Sequence, residues 1–249
     1  MTTKASTLAT IINHIHNPMH YGLCPDANKR ALVAISDNLV MTCECEGSCQ
    51  GGCQADDLTS IVKVATDGSP LLDSPLHGWT HWMSVYRNAV MIAEVAGLHK
   101  FSPDDEGITH FDFTACAILF SLFHDCRRVT EGPDLTHGAY GSIALLSAHS
   151  KDGLAPLMAE WAVASFACTM HTVVDNPRHD PAFEKLADTN ILPDDPDAAE
   201  TIRDAIGMCS DADRIDLLRL GIVPDNNYLT HCGAVGVTID HLQKNGCFK

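Results

Sequence analysis

The sequence predicts an all-α fold, and three observations carry that prediction. Apolar residues recur at the three- and four-residue spacing of a helix face in segment after segment. No run alternates apolar with polar residues between hairpin turns. Proline-bearing stretches such as NPRHDPAF, LPDDPD and VPDNN separate the periodic segments, and no internal repeat is evident.

In chain order, residues 7–16 (Leu8, Ile11, Ile12, Ile15) and 27–41 (Ala31, Leu32, Ile35, Leu39) read as two short helices parted by Pro18 and Pro25. A polar, glycine-containing loop, CECEGSCQGGC, leads into a third through Leu58, Ile61, Val62 and Val64. The stretch DGSPLLDSPLHG is the clearest boundary, dividing an N-terminal helical extension (1–75) from the main domain (76–249). Residues 80–97 then place Val85, Ala89, Ile92, Ala93 and Ala96 on one face, with Gly97 as the stop. Residues 111–124 do the same with Phe111, Ala115, Ile118, Leu119, Leu122 and Phe123. Further helices are expected at 138–149, 154–171, 197–207, 211–220 and 233–244.

Composition narrows the function. With 45% hydrophobic residues in 249, the chain can bury one large core. Its 32 acidic against 16 basic residues give a formal charge of −16, which repels nucleic-acid phosphate and anionic membrane. The N-terminus lacks a signal-peptide core, and no apolar run is long enough for a membrane helix, so a cytoplasmic protein without membrane contact is expected.

The 11 cysteines are an odd number scattered through the chain, which favours reduced thiols over a disulfide framework. Cys43, Cys45, Cys49 and Cys53 crowd one loop, where glycines would let the chain wrap a structural zinc. The spacing lacks the usual two-plus-two separation, so free thiols are the default there. His14, His16 and His20 are interrupted by Pro18 and make a poor metal site.

The chemistry concentrates in another pattern. ILFSLFHDCRRV, residues 118–129, runs a buried-looking helix straight into a histidine, an aspartate and two arginines, a costly arrangement unless an ion or the surface compensates it. HGWTHW, FHD, THGAYG, CTMHT and CSDADRID all fall at expected helix ends. Helix ends of a bundle gather at a pole, where distant side chains can share one ion. Neutral imidazole and carboxylate suit Zn²⁺, Mn²⁺, Fe²⁺, Co²⁺ or Mg²⁺, and a carboxylate can bridge two such ions.

Arg127, Arg128 and Arg87 are candidate phosphate clamps, with a solvated or ion-paired role as the alternative for each. Helical periodicity sets Asp213 and Asp216 on one side and Asp211 elsewhere, leaving the first two as orienters or caps. Glu131 and Asp134 are candidates to orient a histidine or serve as general acid. Trp79, Trp82 and Trp161 read as core, and Cys126 as a packed thiol.

The order H…HD…H…H…DAD on a helical background resembles the HD-domain superfamily of metal-dependent phosphohydrolases. The strings LHGWTHWMSVYRNA, FHDCRRVTEGPDLTHG, ACTMHT and CSDADRIDLLRLGI look like one bacterial branch of it. The resemblance spans residues 76 to about 230. It implies an HD-type helical bundle in which His81, His124, Asp125 and Asp211 hold a first metal, with His77 competing for the place of His81. It also implies a second metal on His137 and His171, bridged by Asp125. The activity it implies is attack of metal-activated water on a phosphoester of a small metabolite or nucleotide, not a nucleic-acid polymer, with Asp125, Arg127 and Arg128 at the reacting centre. Two alternatives stay open: a mixed-valent di-iron centre used with dioxygen, and a metal-binding regulatory module without turnover.

Overall fold

The computed structural model describes residues 53–98, 111–149, 159–172 and 196–245. The expected helices at 7–16 and 27–41, the three histidines of NHIHNPMH, and Cys43, Cys45 and Cys49 lie outside the described residues. Among the described residues there are α-helices and short 3-10 turns and no strand, as the apolar periodicity predicts.

Among the described residues seven α-helices form the bundle: α1 (Cys53–Asp67), α2 (Trp79–Ala96), α3 (Phe113–Phe123), α4 (His137–His149), α5 (Ala159–Met170), α6 (Pro196–Asp216) and α7 (Cys232–Lys244). The sequence FTACAILFSLF is apolar or small all round, and α3 is accordingly buried along its whole length, the central rod of the bundle. Its start is fixed by Asp112, whose carboxylate accepts from the N–H groups of Thr114 and Ala115 at 2.8 and 3.0 Å. The N–H of Asp112 itself donates to Glu160 of α5 at 2.9 Å, tying two helices together at that end.

Helix α2 packs between α3 and α6, with α7 along its flank, while α5 contacts α3, α4 and α6. It ends as expected at Gly97, in the left-handed conformation (φ 72°), whose N–H and that of Leu98 return to the carbonyls of Glu94 and Ala93. Helix α1 packs on α3 and α4, and its Ile61, Val62 and Ala65 belong to the same buried core as α2 and α3, so this core extends across the expected boundary at residue 75. No helix among the described residues is long and apolar enough to cross a membrane.

One element differs from expectation. The segments 197–207 and 211–220 form a single helix, α6, followed by a 3-10 turn at Leu217–Leu220 that stops at Gly221 (φ 77°). Gly207 does not end a helix; a Cβ there would collide with Thr230, so the glycine admits the segment leading into α7 against α6. The DAD acids consequently lie in the last turns of a long helix and do not open one.

Candidate metal centre

The ends of five helices meet at one pole. His81 sits in the first turn of α2, with His77 just before the helix. His124 caps α3, and Asp125 follows it. His137 opens α4, His171 follows α5, and Asp213 and Asp216 close α6. The glycines of HGAYG make this possible: a Cβ at Gly138 would meet the carbonyl of Cys168 on α5, and one at Gly141 the carbonyl of Phe123 on α3. With two glycines one turn apart, α4 lies close enough over both helix ends to bring His137 to Asp125 and His171.

His81, His124, His137 and His171 are each held by Nδ1. His124 Nδ1 donates to the carbonyls of Phe120 and Ser121 at 3.2 and 3.1 Å, His171 Nδ1 to Cys168 O at 2.6 Å, and His137 Nδ1 to the carbonyl of Asp134. His81 Nδ1 is 2.6 Å from a carboxylate oxygen of Asp216, which a donated proton satisfies. All four Nε2 atoms therefore face inward. His81 and His124 approach Nε2 to Nε2 at 3.1 Å, and so do His137 and His171. Two neutral lone pairs at that distance repel each other unless a proton or cation lies with them, so the donor set fits a bound cation.

The carboxylates complete the pattern. Asp213 Oδ1 lies 3.2 Å from His81 Nε2 and 3.8 Å from His124 Nε2. Asp125 divides its two oxygens: Oδ2 is 2.9 Å from His77 Nδ1 and 3.5 Å from His81 Nε2, whereas Oδ1 is 2.9 Å from His137 Nε2. Three triads result, His77–His81–Asp125, His81–His124–Asp213 and Asp125–His137–His171, each with its donor atoms within 4.8 Å of one another. These groups could hold a metal ion, and Asp125 belongs to two of the three.

The electrostatics keep the acids ionised. Burial would raise the Asp125 carboxyl, but His124, His137 and His77 around it hold it well below the usual range, and His81 does the same for Asp213. Burial pushes His124 down and His171 down to about 4, so both stay neutral and able to ligate. For His81, burial opposes the charge, yet its bonds to Asp213 and Asp216 prevail and lift it to about 10. Without a cation, His81 carries the positive charge the cluster demands; a metal takes that proton's place.

Most of the expected residues converge here: His81, His124, Asp125, His137 and His171, with His77 alongside His81 rather than in competition with it. Asp211 does not. Its carboxylate is buried on another face of α6, accepting from the N–H groups of Thr230 and His231 at 2.9 and 2.7 Å and lying 3.2 Å from His231 Nδ1. The acid that faces the centre is Asp213, two residues on, and Asp216 is the orienter of His81. Helical periodicity separates 213 and 216 from 211, but it does not say which side meets the histidines.

The arginines also separate. Arg127 points away and donates to the carbonyls of Val64 and Ala65 at 3.0 and 3.3 Å, closing the C-terminal end of α1; the clamp role does not fit it. Arg87 is buried and bonds the side chain of Asn88. Arg128 stays at the centre: its Nη1 lies 3.1 Å from His137 Nε2 and 3.5 Å from Asp125 Oδ1, and its other nitrogens donate to the carbonyls of Thr130 and Gly132. Arg219, which the sequence did not single out, pairs with Asp216 and donates to the carbonyls of Pro75 at 2.7 Å and of Leu76, fastening the loop that carries His77.

Of the loop acids, Glu131 accepts from the Ser74 hydroxyl at 2.6 Å and stands 3.8 Å from His77 Nε2. Asp134 caps Thr136 and holds His137 through its carbonyl. Cys126 is fully buried, and burial pushes its thiol up to about 12, as suits a packed and unreactive side chain.

A cavity of about 280 Å³ opens over the cluster, lined by His77, His81, Asp125, Arg128, Asp213 and Arg219 among others. Fold and site together define an all-helical protein with a histidine–aspartate cluster able to hold metal. No protein-family model, curated protein or solved structure matches the chain.

Proposed function

We propose that the protein is a metal-dependent phosphohydrolase of the HD type that cleaves a phosphoester of a small molecule. The observation that carries this reading is the division of Asp125 between two histidine groups, one oxygen towards His81 and His77 and the other towards His137. His81, His124, Asp125 and Asp213 would hold one cation, and His137 and His171 a second shared through Asp125. Bound there, divalent cations supply Lewis acidity at a phosphoryl oxygen and bring the pKa of water towards neutrality.

The chain's own groups do the rest. Asp216 and the carbonyls of Phe120, Asp134 and Cys168 fix the imidazoles in one tautomer and orientation, so the site needs little rearrangement when a substrate arrives. Arg128 lines the cavity beside Asp125 with Nε and Nη2 held by the carbonyls of Thr130 and Gly132, so Nη1 is the nitrogen it presents to a phosphate, which weighs against a binding module without turnover. His77 is held between Asp125 and Glu131 at the cavity wall, where an imidazole can carry a proton to the leaving group. The overall charge of −16 disfavours a polyanionic substrate, which points to a small one.

The test is a screen of phosphomonoesters, nucleotides and cyclic dinucleotides with Mn²⁺, Co²⁺ or Mg²⁺, with Asp125→Ala as control. Because Asp125 serves both groups, the variant should lose at least about a hundredfold in rate together with its bound metal. Full activity in Asp125→Ala would refute the mechanism. The same bridged donors also suit two irons, so iron-bound protein that turns over only with dioxygen would replace hydrolysis by oxidation.

A further inference from the structure

The cavity over the metal cluster has two unlike zones. Its floor is ionic, made by the histidines, Asp125 and Asp213, with Arg128 and Arg219 beside them. Its remaining wall is mainly aliphatic, supplied by Leu76, Pro133, Leu135, Leu217 and Leu220, with Asp134 and Thr172 as its polar members. Leu135 is 70% exposed, Leu220 44% and Leu217 37%, so three large aliphatic side chains at the cavity stand in contact with solvent. Large aliphatic side chains left in water around a concave polar site are what a ligand with an apolar part covers.

Among the described residues, no phenylalanine, tyrosine or tryptophan lines the cavity, so a nucleobase would have to stack on the histidines or arginines that belong to the ionic floor. A phosphorylated polyol would bind the floor and leave the leucines wet. An alkyl phosphate satisfies both zones at once, its head between the cluster and Arg128 and its chain against Leu135, Leu217 and Leu220.

We infer that the substrate is an aliphatic phosphoester, a phosphoryl head on an alkyl body, and that Leu135, Leu217 and Leu220 select it. The inference rests on the phosphohydrolase reading for the reaction and on the cavity wall for the preference, and the two are separable. Methyl-, butyl- and hexylphosphonate, which resist hydrolysis, are titrated calorimetrically into the full chain loaded with Mn²⁺. The dissociation constant should fall about two- to fourfold for each added methylene until the wall is covered. Replacing Leu217→Ser and Leu220→Ser together should flatten that gradient. Val223→Ser, at a residue 77% exposed and outside the cavity, should preserve it, which separates loss of the wall from general damage.

Equal affinity along the series, or tighter binding of a nucleoside phosphonate than of hexylphosphonate, overturns the inference. Failure of every phosphonate to bind overturns it together with the phosphohydrolase reading. Hexyl phosphate that binds with the same gradient but is not cleaved removes hydrolysis alone and leaves the aliphatic preference standing.

Discussion

Two residues of sequence separate an acid that builds the centre from one that builds the fold. Asp211 and Asp213 are about 200° apart around α6 at the helical advance of about 100° per residue, so one faces the histidines and the other the loop before α7. Asp213→Asn should weaken Mn²⁺ binding at least about tenfold with little loss of stability, whereas Asp211→Asn should keep the metal and cost about 1–3 kcal/mol. Calorimetric affinities and urea midpoints measure both; the reverse pattern would return Asp211 to the centre. His231, bonded to Asp211 and Asp204, belongs to the same anchor. Burial opposes its charge, but the two carboxylates prevail and lift it to about 9. A raised pKa stabilises the fold fully below the ordinary value of about 6.5 and ceases to do so as pH rises through 9. His231→Gln should therefore be less stable by on the order of 2 kcal/mol at pH 6, with the difference fading towards pH 10.

At the level of elements, α4 is the part that closes the site, and it does so by lacking side chains. Gly138 and Gly141 let its backbone rest on the carbonyls of Cys168 and Phe123. In Gly141→Ala the new methyl displaces α4 from α3, so stability should fall by about 1–3 kcal/mol and the metal content should drop as His137 withdraws from Asp125. Gly236→Ala is the contrast: nothing lies within 4 Å of that position in α7, and the better helix former should stabilise by about 0.5–1 kcal/mol. Thermal unfolding with elemental analysis reads both variants. The element expectations themselves held for α1 to α3, α4 and α7, because apolar periodicity is local and survives whatever the neighbours do. They failed at Gly207, where a glycine that ordinarily stops a helix serves a close approach by Thr230, a contact between residues distant in sequence.

At the scale of the whole molecule, a metal held by the cluster would be coupled to folding. The donors come from the ends of α2, α3, α4, α5 and α6, so cations bound there would tie together helix ends that the core alone must otherwise hold in place. At a free concentration a hundredfold above its dissociation constant, a divalent cation should add about 2.7 kcal/mol of stability. A chelator should reverse the gain, and Asp125→Ala should show none. Unfolding temperatures with and without Mn²⁺ or Zn²⁺ check this; identical curves would mean that the cluster binds neither ion in the folded state.

The sequence by itself determined the helices, the apolar centre of α3 and the kinds of side chain that stand at the helix ends, since spacing and residue type are properties of the local chain. Only the tertiary structure decided that Asp213 takes the place expected for Asp211, that Arg128 faces the cluster while Arg127 closes α1, and that Arg219 fastens the His77 loop. The rotation of each helix about its axis is set by what it packs against. For α6 that is the buried stripe of Ala205, Ile206, Cys209, Ala212 and Ile215 against the rest of the core, and a linear sequence does not record which way such a stripe turns the acids beside it.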